Sequence, residues 1–286
     1  MSSPVVILGA PSDAHVHLGL VDVAAVAASV LGRVVDLAGD LDRPHSVDAG
    51  DGRAPLRVEI AGPMLTPVGG YPSTRHWAEP AWWREIDDEG AAARAVDDLV
   101  EAGASRVKVA SNSVTGPVFS DDLLAAIVTQ AGRRRMPVVV HAEGPGEADR
   151  ALRAGAQLLA HAPFTESLSA AQIAEHAARM TWISTLAIHP GESEDRARAV
   201  QNVAAFHAAG GRVLYGTDKG NGDQPPGLNP AELDALREAG LTTSDLLRAL
   251  DLADRRDPAS RLMAVDGEGD ELDLASARPA LPEDLA

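Results

Sequence analysis

Short apolar runs alternate with longer amphipathic segments along most of this chain, and no other feature restricts its fold so strongly. The runs predicted as strands are Ala14–His17, Val34–Leu37, Leu56–Ile60, Val107–Ala110, Val138–His141, Leu158–His161, Trp182–Thr185 and Val213–Gly216. Helical periodicity fills the intervals, most plainly at 87–102, 121–134, 147–154, 170–178, 194–209, 231–239 and 244–253. One phrase recurs, helix then Ala-Gly then strand, as LVEAGASRVKVA, ALRAGAQLLAHA and AFHAAGGRVLYG. A glycine just past a helix end supplies the left-handed residue from which the chain turns into the next strand. Strands that alternate with helices build a parallel sheet, and eight such units favour closure into a (β/α)8 TIM-type barrel. The competing architecture is an open doubly wound sheet. No G-x-G-x-x-G follows the first strand, which counts against its nucleotide-binding form.

The 286 residues suit one such barrel, whose usual size is about 250 residues. The barrel is expected over residues 1–264. The remainder, 265–286, reads VDGEGDELDLASARPALPEDLA and is expected to be an acidic tail, flexible or docked. Two stretches rich in Gly, Pro and Asp, 40–55 and 62–80, follow strand C-termini, where barrel enzymes keep functional loops. Trp82 and Trp83 are read as the start of an amphipathic helix packed on the barrel.

Composition removes whole classes of chemistry. There is no cysteine, so disulfides, thiolate metal ligands and cysteine nucleophiles are excluded together. The net charge of −17 disfavours nucleic acid as a partner, because the protein field repels phosphates. No window offers the roughly 20 apolar residues of a membrane span. The apolar run at the N-terminus is only Val5–Leu8 and lacks a basic flank, so neither a signal peptide nor a membrane partner is expected. The expected setting is the cytoplasm, with a small-molecule substrate and room for a homo-oligomer.

Six polar residues sit in or just after the apolar runs. His15 and His17 form an H-x-H pair, and period two in a strand sends both to one face. Lys108 lies inside RVKVA, where an ammonium group needs a partner. His141 ends PVVVH, His161 ends QLLAH and Asp218 ends RVLYGTD. Taken singly, each has a bland role: a hydrogen-bonded core histidine, a snorkelling lysine, a helix N-cap. Their joint occurrence at strand ends points to one site. Tyr71, Asn112, His189 and Lys219 fall in or near the strand-end loops and are candidate substrate contacts, although a surface role suits each one taken alone.

The motifs DAHVH (13–17), VVDLAGD (34–40), IAGPMLTPVGG (60–70), AGASRVKVAS (102–111), VVVHAEGPGEADRALRAGAQLLAHAPF (138–164) and AAGGRVLYGTDKG (208–220) resemble the amidohydrolase superfamily. Within it they are most similar to the imidazolonepropionase-like branch that includes metal-dependent dipeptidases. The resemblance runs from residue 13 to about 263. It implies a hydrolase of C–N bonds in a cyclic amide or dipeptide-like substrate. It implies that His15, His17 and Asp218 hold one Zn²⁺ and that His141 and His161 hold a second. Lys108, carboxylated by CO₂, would bridge the two, and Asp218 would be the general base.

Two departures bear on that reading. Only fourteen residues precede His15, so the β-sandwich domain of the family is expected to be absent or vestigial. Lys219 follows Gly-Thr-Asp where a small residue is usual, which leaves the substrate class open. Nitrogen and oxygen ligands also accept Mn²⁺, Fe²⁺ or Ni²⁺, and a single metal on His15, His17, His141 and Asp218 is the fallback. A metal-dependent lactonase or esterase, and a barrel that binds metal without turnover, are the alternatives.

Overall fold

The computed structural model describes residues 4–189 and 191–285. All eight predicted strands form, as Ser12–Val16, Arg33–Asp36, Leu56–Ile60, Val107–Asn112, Val138–Glu143, Leu158–Leu159, Thr181–Ile183 and Arg212–Leu214. They divide between a four-stranded sheet and a parallel seven-stranded sheet. Backbone hydrogen bonds bridge both seams. Ala14 N donates to Tyr215 O (3.0 Å) and His17 N to Lys219 O (2.7 Å) on one side. On the other, Ser105 N donates to Ile60 O (2.8 Å). The architecture is thus a parallel α/β barrel of the TIM type.

Local chemistry explains why these helices sit where they do. Asp88, Ser120, Ser169 and Ser193 cap the helices Glu89–Glu101, Asp121–Arg133, Ala170–Arg179 and Glu194–Ala208, each accepting from a first-turn backbone N–H. Gly103, Gly155 and Gly210 all have positive φ (77°, 85° and 84°), as the helix-glycine-strand phrase requires. Along Val107–Asn112, Val107 and Val109 face the helices while Lys108 takes the opposite face, and Val138 and Val140 alternate with His141 in the same way.

The chain ends differ from expectation. Leu262–Asp266 pairs antiparallel with Val5–Gly9 and with Asp273–Pro279, so the expected boundary at 264/265 falls inside a strand. The segment read as an acidic tail is therefore the edge of a three-stranded sheet. Its Leu272 and Leu274 join Met263 and Val265 in the main core, and its acidic residues face outward. Among the described residues this small sheet is the only one outside the barrel, where a sandwich would need a second sheet packed against it. Trp83 opens a strand, Trp83–Glu85, rather than a helix; it pairs with Met64–Thr66 while Trp82 packs on Met64 and Ala38. Among the described residues no helix is long and apolar enough to cross a membrane.

Candidate active site

His15, His17, Lys108, His141, His161 and Asp218 all line one cavity of about 220 Å³ at the carboxyl ends of the barrel strands. His15 and His17 emerge from the end of the first strand with their Nε2 atoms 3.3 Å apart. Asp218 Oδ1 lies 3.1 Å from His15 Nε2 and 3.0 Å from His17 Nε2. That oxygen is nonetheless buried without a directional hydrogen-bond partner. These three residues offer ligand atoms within 4.8 Å of one another. Donor atoms crowded around one point, with the Asp218 oxygen left unpartnered, are the arrangement a cation satisfies, and a nitrogen–oxygen donor set suits Zn²⁺.

The protonation states agree with that use. His15 Nδ1 contacts the Ala160 carbonyl at 2.9 Å. A carbonyl only accepts, so Nδ1 carries the proton and Nε2 keeps its lone pair for ligation. Burial, reinforced by Lys108, holds the His15 imidazole well below its ordinary value, and burial does the same to His161. Burial alone would raise the Asp218 carboxyl, but the histidines around it outweigh that effect and keep it ionised. Lys108 is 1 % exposed, with Nζ 3.5 Å from His15 Nε2. Burial pushes its amine down from 10.5 to about 7, with Asp218 opposing, so much of it is neutral at physiological pH.

The other two histidines are held differently. His161 Nδ1 lies 2.8 Å from Thr185 Oγ1, and its ring is 4.9 Å from that of His141. His141 stacks on Tyr71 with centroids 5.0 Å apart, and its Nε2 meets Glu143 Oε2 at 3.0 Å. His15, His17 and Asp218 thus converge as they stand, whereas His141 is turned toward Glu143.

Of the candidate substrate contacts, Tyr71 and His189 line the cavity. Asn112 does not: it is buried, its Nδ2 donates to Glu143 Oε2 (2.6 Å), and its Oδ1 accepts from Val114 N and Thr115 N. Lys219 also turns away. Its ammonium donates to the Pro225 and Gly227 carbonyls (2.6 and 3.3 Å) and lies 4.0 Å from Asp13, because the chain after Asp218 folds back over it.

Three supporting residues escaped the sequence reading. Asp13 is fully buried; it accepts from Thr217 N and Oγ1 (3.0 and 2.6 Å) and so pins the Asp218 segment to the first strand. Asn221 Nδ2 donates to Asp218 Oδ2 at 3.0 Å, which fixes the carboxylate's rotation. Thr185 adopts φ +48°, a rare conformation for a β-branched residue, and from it reaches His161. Only Asp13, next to the H-x-H pair, carried a signal in the sequence.

The sequence matches no protein-family profile and no curated protein. Solved structures do match it. A Xaa-Pro dipeptidase with methionine bound in its active site superposes with a TM-score of 0.67 at 18% identity, covering 93% of this chain and 82% of its own. An A. niger ochratoxinase gives 0.69 at 17%, covering 93% and 78%. Phenylurea hydrolase B gives 0.65 at 16%, covering 93% and 81%. At these identities the likeness establishes a shared fold, the parallel α/β barrel described above.

Proposed function

We propose that this chain is a metal-dependent hydrolase that cleaves a C–N bond in a small cyclic amide or dipeptide-like substrate. The observation that carries the reading is the convergence of His15 Nε2, His17 Nε2 and Asp218 Oδ1 at the barrel mouth. The names of the structural neighbours, a Xaa-Pro dipeptidase and a phenylurea hydrolase among them, support amide chemistry in preference to another reaction class.

His15, His17 and Asp218 would hold one Zn²⁺. His161, through its free Nε2, and His141, once released from Glu143, would hold a second. Lys108, if carboxylated, would supply a further anionic ligand to these ions. Its neutral amine would form an N–C bond to CO₂ and lose one proton, leaving an anionic carbamate on a buried strand position. A bound divalent cation supplies Lewis acidity, polarising a carbonyl and acidifying water. The remaining steps belong to the protein. Asp218 accepts a proton from the attacking water and returns it to the departing nitrogen, work worth about 10²–10⁴-fold. Asn221 holds the Asp218 carboxylate in one rotation while this happens. Tyr71 and His189 wall the substrate in.

The test is zinc content and turnover on one preparation. Two zinc ions per chain with hydrolysis of lactams or dipeptides supports the two-metal form, and one per chain restricts the site to His15, His17 and Asp218 with or without His141. Turnover of lactones in preference to lactams moves the reading to an esterase. Zinc-loaded protein inert toward amides, lactams, lactones and dipeptides overturns the proposal.

A further inference from the structure

Resting on that reading, we propose that the cleft is bipartite and selects a substrate with a protonated amine on one side of the scissile carbonyl and an uncharged apolar group on the other. A second cavity of about 230 Å³ adjoins the first. The two share His17, Tyr71, Trp77, Asp218 and Asn221, so two of the candidate metal ligands, His17 and Asp218, stand at their junction. A bond that breaks there sends one half of the substrate into each arm.

The arms differ in chemistry. The second arm adds only Leu20 and Gly220 to the shared residues. Leu20 and Trp77 are each 38% exposed, large apolar surfaces left open to a ligand. Gly220 lets the backbone pack closely here: a Cβ there would lie 2.9 Å from the Leu20 Cβ and 3.2 Å from the His17 Cβ. Beyond the junction this arm holds no charged side chain.

The first arm runs past His141 to Glu143, Phe164, Ile188 and His189. Glu143 and Asp218 are the only carboxylates among its lining residues, and Asp218 is committed to the junction. Glu143 Oε2 is occupied by His141 Nε2 and Asn112 Nδ2. Among the described residues Oε1 takes no hydrogen bond, and the side chain is 24% exposed toward the cavity. Phe164 and His189 pack with ring centroids 4.6 Å apart beside it. A carboxylate oxygen next to aromatic faces suits an ammonium group, through a charge-assisted hydrogen bond and cation–π attraction. A substrate carboxylate in that arm would meet Glu143 as a like charge. No arginine is among the lining residues of either arm, and Lys108 in the first arm is read as a carbamate; Arg75, 5.8 Å from the Tyr71 ring centroid, acts on Glu143 from outside the lining.

The test uses zinc-loaded protein and three matched anilides: alanine anilide with a free amine, its N-acetyl form and its N-succinyl form. The free amine is expected to lead in kcat/KM by at least about tenfold, the scale of one hydrogen bond to a charged group. Glu143→Gln should remove that lead, bringing the free-amine and N-acetyl anilides to within about twofold of each other in kcat/KM at whatever turnover the variant keeps. Equal losses on both anilides would overturn the inference, because Glu143 would then act through His141 rather than on the substrate. Binding supplies a readout that needs no turnover. Phenethylamine should quench tryptophan fluorescence, Trp77 being in both arms, at concentrations at least about tenfold lower than N-acetylphenethylamine, and Glu143→Gln should erase the difference. If no anilide is cleaved while this binding preference holds, the bipartite cleft stands and acyclic anilides drop out of the substrates of the hydrolase reading. If phenethylamine has no advantage, the bipartite cleft fails whatever the turnover.

Discussion

Lys108→Met should make the metal-free protein more stable, although Lys108 belongs to the candidate site. The lysine is 1 % exposed, and burial displaces its amine from 10.5 to about 7. At about 1.4 kcal/mol for each pH unit, that displacement sets a ceiling of about 5 kcal/mol on the cost of folding around the ammonium. The sign follows from proton linkage. The folded-state value lies below the unfolded one, so between pH 7 and 10.5 the unfolded chain binds more protons and wild-type stability rises with pH. Below pH 7 both states are protonated and the full cost is present; above 10.5 it is gone. Methionine fills a similar volume without a charge, so the variant lacks this dependence. The assay is urea unfolding of both proteins after chelation, in CO₂-depleted buffer, from pH 6.5 to 10.5. The variant should lead by several kcal/mol at pH 6.5, and the lead should shrink steadily to near zero by pH 10.5. A difference that stays flat across this range refutes the reasoning, since an ammonium buried at no cost leaves no mark on proton linkage.

Three further changes probe the parts around that lysine. Asp218→Asn keeps a ligand oxygen but cannot accept the water's proton, so zinc content should hold while kcat falls by about 10²-fold or more. Thr185→Val keeps the β-branch and removes the oxygen 2.8 Å from His161 Nδ1; competition with a chelator should show zinc affinity down by about 10–100-fold at the site His161 serves. Gly216→Ala places a Cβ 2.3 Å from Ile183 Cγ2 and 3.2 Å from the His15 Cβ; overpacking there should cost about 1–3 kcal/mol in denaturant unfolding and lower zinc affinity by displacing His15.

The barrel was legible in the sequence for a physical reason. Strands covered on both faces read as unbroken apolar runs, and VKVA, VVVH and QLLAH stand out against the amphipathic helices between them. The glycines at 103, 155 and 210 were equally plain, because a left-handed turn out of a helix leaves few other choices of residue. The three-stranded sheet was hidden because one of its faces meets solvent. Asp273–Pro279 buries Leu274 fully, and with Leu272 it offers too little pattern to be told from an acidic tail. Within the site, the strand ends that carry the clustered histidines and lysine were readable from residue type and position. Thr185, Asn221 and the true orientation of Lys219 were not, since each depends on how a loop folds back on the barrel.

Lys219 shows why a charge next to a site in sequence need not act on it. The residue is 1 % exposed, its ammonium satisfied by two carbonyls of the 220–228 loop and faced by Asp13 at 4.0 Å. Asp13 in turn accepts from Thr217 and the His15 backbone, so the Asp13–Lys219 pair sits behind the candidate ligands. What the pair supplies to the cleft is position. It ties the first strand to the segment after the last one, where Asp218 sits at φ +52° with its Oδ1 aimed at His15 and His17. A side chain in that left-handed conformation persists only where its surroundings over-determine it. Asp13, Lys219 and Asn221 are those surroundings, so the lysine that departs from the usual motif contributes to the geometry of the motif's own aspartate.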